Sequence, residues 1–186
     1  MVDLVASGDQ RHAGYAADGA FANAVTRLAE DLVKLPTLLQ GRTHPMLGRA
    51  TATATMVAAG VSRNVTPPEA KAVLDIRSTP SWEHGEIASE LRRELGSKVV
   101  VTSERLVPCE TPADSRVLAA ARVARPAAKI FGSPTCSDWV FVRHADAIKW
   151  GPGTSRRSHT ADESVDLVEV TEARAMYRTF AVEYLR

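Results

Sequence analysis

The sequence has little cysteine, few aromatic residues, no excess of either charge and no long apolar run. Cys109 and Cys136 are its two cysteines; they lack CxxC spacing and are too few for a disulfide framework, which points to a reducing compartment, the cytoplasm. With 23 Lys and Arg against 22 Asp and Glu, the formal net charge is +1. Such a chain offers no broad positive field to a polyanion, and nucleic acid is not expected as a partner. No apolar stretch approaches the ~20 residues of a membrane span, and Asp3 stands where a signal peptide would carry basic residues, so neither membrane insertion nor export is expected. What is there, 45% hydrophobic and 24% charged residues over 186 positions, is the composition of a globular chain of one domain or two small ones.

Periodicity predicts a first helix over Phe21–Leu35, with Ala24, Leu28, Leu32 and Leu35 on one face and Pro36 just beyond it. Thr51–Gly60 reads as a strand whose threonines at 51, 53 and 55 alternate with an inner face of Ala52, Ala54 and Met56. Turn residues at 64–68 separate it from Ala70–Arg77, where Ala72, Leu74 and Ile76 share a face. Pro80 is expected to open a second helix that closes at Gly96, and Lys98–Leu106 to form the next strand. With a first strand near Leu4, residues 1–106 spell βαββαβ, a four-stranded antiparallel sheet with two helices on one face.

The prolines of Val107–Pro112 mark a boundary, and 107–186 forms a second unit. There a helix near Asp114–Ala124, strands at Lys129–Phe131 and Ala147–Trp150, and a final helix from Asp166 are expected. Ala173, Met176, Tyr177, Phe180, Ala181 and Tyr184 make one stripe of that helix, and Asp166 with Glu169 resembles a capping box.

Of five histidines, no two have the spacing of a helical metal pair. His44, His84 and His144 read as loop or solvated residues. His159 differs, because the polar loop after Gly151-Pro152-Gly153 presents it before the last helix, where α/β proteins gather ligands. Asp162 or Glu163 could orient its imidazole or simply face the helix dipole.

These residues resemble the zinc-dependent aminoacylase and acetylornithine deacetylase family, which includes succinyl-diaminopimelate desuccinylase. Four motifs carry the resemblance in order. His12-Ala13-Gly14 with Gly19 and Asn23-Ala24 is similar to the opening of the family's lid, and Asn64-Val65-Thr66-Pro67 with Asp75-Ile76-Arg77 to its Asn-Val-x-Pro and Asp-x-Arg pair. Ser137-Asp138 resembles its Thr-Ser-Asp segment, with Cys136 where Thr is usual; Gly151-Pro152-Gly153 with Ser158-His159-Thr160 and Asp162-Glu163 resembles its last metal-ligand loop.

The resemblance implies an α/β chain: a ferredoxin-like βαββαβ lid, 1–106, that dimerises, followed by the C-terminal part of a zinc-hydrolase catalytic domain, 107–186. It implies that His159 ligates one metal of a dinuclear zinc centre, with cobalt an alternative, and that this is the one ligand the chain supplies. His12 would cross from one subunit's lid to its partner's site and stabilise an oxyanion. Asn64 and Arg77 would hold the substrate carboxylate, and Thr135, Cys136 and Ser137 would line the cleft. The family's His-x-Asp segment, bridging Asp and adjacent Glu residues are lacking, and one imidazole cannot hold zinc against water. Two functions are therefore expected. One is the C-terminal half of a metal-dependent deacylase of N-acyl amino acids, inactive alone and acting with a separate N-terminal half. Its acetylornithine-like flavour comes from Ser133-Pro134-Thr135-Cys136-Ser137-Asp138-Trp139. The other is a non-catalytic dimerisation or binding module.

Overall fold

The computed structural model describes residues 1–18 and 21–186, which divide into two compact units. The first holds Met1–Pro108 with Gly132–Pro134, the second Cys109–Phe131 with Thr135–Arg186.

In the first unit β1 (Val2–Ser7), β4 (Thr51–Ala59), β5 (Glu69–Arg77) and β6 (Lys98–Val101) form one antiparallel sheet in the order β4-β5-β1-β6. The helices α1 (Ala24–Leu38) and α2 (His84–Glu94) cover one face, which gives the expected βαββαβ arrangement. Alternation drives it: Val2, Leu4 and Ala6 of β1 and Ala70, Ala72 and Leu74 of β5 point into the core, against Leu28 and Leu35 of α1 and Ile87 and Leu91 of α2. Leu4, paired with both Ala72 and Val99, is fully buried; a side chain so placed contributes about 1.5–3 kcal/mol.

Four boundaries differ from the sequence expectation, each for a physical reason. Asn23 caps α1, its Oδ1 accepting from the N–H groups of Val25 and Thr26, so the helix starts after Phe21. At its other end α1 runs through Pro36 to Leu38, because the last turn brings Leu39 into the core and that burial outweighs the hydrogen bond proline cannot donate. Pro80 lies in a turn closed by Trp82 N–H to Thr79 O; α2 begins only at His84, with Glu86 accepting from Glu83 N–H. β6 stops at Val101 because its partner β1 runs out: the amides of Thr102 and Ser103 both find Met1 O.

The alternation of β4 also breaks. The ladder with β5 shifts between Ala54 and Met56, a bulge at Thr55 that turns Met56 onto the Val73 face, where it is 67% exposed rather than inward. A short hairpin, β2 (Thr43–His44) with β3 (Gly48–Arg49), precedes β4 and has no counterpart in the sequence reading. His44 is buried in it, and its Nδ1 accepts from Met46 and Leu47 N–H.

The second unit is built on α3 (Arg116–Ala124), capped by Ser115, and α4 (Leu167–Leu185), capped by Asp166. Ala173 and Met176 are the buried part of the α4 stripe; Tyr177 donates to Trp150 O at 2.8 Å, Phe180 stacks on Tyr184, and Arg116 lies over the Tyr184 ring. Glu169 meets Arg157 at 3.7 Å, while Asp166 accepts from Val168 N–H. Residues 129–131 and 147–150 form no ladder, since no strand among the described residues pairs with them; Asp138–Phe141 is a 3-10 turn.

Candidate functional site

The residues picked out in the first unit fall at two places. The first is where β1 leaves the sheet. Residues 9–13 lie against 64–66: Ala13 N–H donates to Asn64 O at 2.8 Å, Thr66 N–H to Arg11 O at 2.8 Å, and His12 bridges to Val65. His12 and Asn64 are thereby neighbours, though far apart in sequence. Both side chains are exposed. Gly14 N–H donates to His12 Nδ1 at 3.0 Å, which puts the proton of the neutral imidazole on Nε2 and leaves that N–H as an outward donor. Ser62 Oγ donates to Asn64 Oδ1, so the Asn64 amide has its NH2 half to offer an anion. Gly19 of the His12 motif lies outside the described residues.

Arg77 stands elsewhere. It ends β5, opposite Thr51, with Asp75 at 2.7 Å. Nine residues of strand at about 3.3 Å each separate the two ends of β5 by roughly 26 Å, so Arg77 and Asn64 of one chain do not meet at one carboxylate. Beside Arg77, Ser78 Oγ lies 2.8 Å from His84 Nε2, and His84 Nδ1 lies 3.0 Å from Glu104 O, so His84 is a tied rather than a solvated residue.

In the second unit His159 lies on the loop after Gly153 and adopts φ 62°, a left-handed conformation uncommon for a residue with a Cβ. Glu163 holds it through the backbone: His159 N–H donates to Glu163 Oε2 at 3.1 Å. Thr135 accepts from Lys149 Nζ at 2.7 Å, Cys136 is exposed, and Ser137 starts the 3-10 turn. Burial pushes the Cys109 thiol up, against the pull of Arg143. Among the described residues no group of three or more His, Cys, Asp or Glu could hold a metal ion. The donors among the described residues thus do not by themselves fit a zinc site.

Sequence reasoning missed Thr66. Its hydroxyl is buried between the two loops that carry His12 and Asn64, and its one visible signal is a polar residue between Val65 and Pro67.

Residues 1–102 match the M20 peptidase dimerisation domain model. The chain belongs to that family. No curated protein matches the M20-domain chain, but solved structures share its fold. The aminopeptidase PepT of Bacillus cereus superposes with a TM-score of 0.72 at 19% identity, covering 100% of this chain and 51% of its own. A tripeptidase of Staphylococcus aureus gives 0.73 at 15% identity, with 100% and 51% covered. The M20 family metallo-carboxypeptidase Sso-CP2 of Sulfolobus solfataricus gives 0.70 at 16%, with 98% and 57% covered. The chain therefore spans about half the length of these solved structures. Among its described residues no helix is long and apolar enough to cross a membrane.

Proposed function

We propose that this M20 chain supplies the lid and one metal ligand of a hydrolase of linear amides, with N-acyl amino acids of the acetylornithine type as substrates. The observation that carries the reading is the contact between the two loops that bear His12 and Asn64, each of which leaves a donor exposed, an imidazole N–H on His12 and an amide NH2 on Asn64. A tetrahedral intermediate has negative charge where the amide carbonyl stood; the His12 Nε2–H donor serves that charge as it develops. Asn64 and Arg77 take the substrate carboxylate, Arg77 by its planar fork. Because β5 holds them far apart, Arg77 serves its own subunit's site while His12 and Asn64 serve the partner's, which makes a homodimer part of the function. The open edge of β4 supports that dimer: it carries exposed Met56 and Val57, and an apolar groove of about 330 Å³ between it and Leu32, Leu35 and Leu39 runs alongside. His159 is assigned as a single ligand, presented by a strained loop, and Thr135, Cys136 and Ser137 as cleft lining.

The test titrates the chain with zinc and assays N-acetylornithine, alone and with a polypeptide carrying the His-x-Asp and Glu-Glu segments supplied in trans. The expected result is no stoichiometric zinc and no turnover alone. Turnover is expected in the mixture, reduced on the order of 10²–10³-fold by His12→Ala. Zinc-dependent turnover by the chain alone would sink this reading. A stable dimer that stays inert in the mixture would instead favour the non-catalytic module.

A further inference from the structure

We infer that Thr66 is a positioning residue, whose buried hydroxyl holds the His12 loop in register with Asn64. The inference rests on the roles proposed for His12 and Asn64 at a site. Thr66 is 5% exposed, and a buried hydroxyl must find partners or cost stability. It finds them all on the His12 loop. Its single hydrogen goes to Asp9 O at 2.7 Å, with Arg11 O at 3.2 Å, and its oxygen accepts from Arg11 N–H at 2.9 Å. Thr66 N–H adds a bond to Arg11 O.

The ladder at this point is too short to hold by itself. His12 to Val65 is an isolated bridge, with one backbone bond on each side of it, from Ala13 to Asn64 and from Thr66 to Arg11. Without the hydroxyl, the Arg11 amide would face the apolar side of residue 66 unpaired, and the loop would be free to slip by one residue. A slip of one turns the side chain at 12 to the opposite face. The loop has little other choice of path at its start. Gly8 N–H bonds to Pro68 O, and a Cβ at Gly8 would come within 2.4 Å of Ala24 N and 2.7 Å of Ala22 O, so the backbone there threads a gap that admits glycine. From that fixed start, Asp9 accepts from Ala22 N–H and Thr66 fixes the next turn. Thr66 touches neither His12 nor Asn64 by its hydroxyl. It acts through the backbone that carries them.

The experiment compares the full chain with Thr66→Val, which keeps shape and loses the hydroxyl, and Thr66→Ser, which keeps the hydroxyl. Amide exchange is read by NMR, and the nitrogen-15 shifts of the His12 imidazole are read at a pH where the ring is neutral. In T66V the amides of Arg11 and Ala13 should exchange about tenfold faster while those of Leu4 and Ala72 hold. The His12 signature should move from the Nε2–H tautomer toward a mixture, and T66S should match the parent in both readouts. Unchanged exchange and an unchanged tautomer in T66V would overturn the inference. So would loss of protection at Leu4 and Ala72 as well, which would make Thr66 a core residue of the whole sheet. A T66S chain as perturbed as T66V would also overturn it, by assigning the effect to the methyl group. These readouts need no turnover, so the clamp can fail while His12→Ala still lowers turnover in the mixture, and the reverse.

Discussion

Asp31 shows how one buried charge fixes a junction. It sits on the inner side of α1, yet its carboxylate accepts from Gly96 N–H at 2.9 Å and Ser97 N–H at 2.7 Å, with Lys34 at 3.5 Å, so α1 is tied to the turn between α2 and β6. Burial pushes its pKa up, but the bonds from Ser97 and Gly96 and the Lys34 charge outweigh burial and hold it below the ordinary 3.8. The sign follows: a depressed folded pKa gives stability that is fully present above 3.8 and is lost as pH falls through the lower folded value. Asp31→Asn should cost about 1–3 kcal/mol at neutral pH, because an amide cannot accept both N–H groups as well. In urea unfolding followed by circular dichroism, the gap between parent and variant should narrow below pH 3.8. A gap that stays constant with pH would remove the charge from the explanation.

At the scale of elements, the parts legible in the sequence were those set by local period. The faces of α1 and β5 follow from the spacing of Ala24, Leu28 and Leu35 and of Ala72 and Leu74. What was illegible depended on partners distant in the chain: the end of β6 is set by Met1, the run of α1 through Pro36 by Leu39, and the outward turn of Met56 by a bulge. The site divides the same way. His12, Asn64, Arg77 and His159 could be picked out as motif residues. That Thr66 joins two of them across 55 positions, and that β5 separates a third, needed the fold. β4 yields its own prediction. Beyond the bulge, Val57 shares the inner face with Ala72 but is 61% exposed. A charge at an open sheet edge blocks pairing with another chain. Val57→Lys should shift the chain from dimer toward monomer in sedimentation, with its circular dichroism unchanged; a variant that remains dimeric would place the interface on another surface.

For the molecule as a whole, the two units differ in how much they bury. The first closes a core around Leu4, Leu74 and Leu91; in the second, α4 buries Ala173 and Met176 and leaves Leu167 80% and Leu185 82% exposed at its two ends. The chain matches about half of each of two solved structures that share its fold. The length of β5 then has a genetic consequence. If each site draws Arg77 from one subunit and His12 from the other, the two residues belong to different alleles of the same site. His12→Ala and Arg77→Ala homodimers should each be crippled. Mixing them restores one intact site in every heterodimer and leaves the other doubly impaired, so random exchange, assayed with the polypeptide carrying the His-x-Asp and Glu-Glu segments, should recover about a quarter of the parental turnover in that mixture. Complementation in trans would read the span of a single strand.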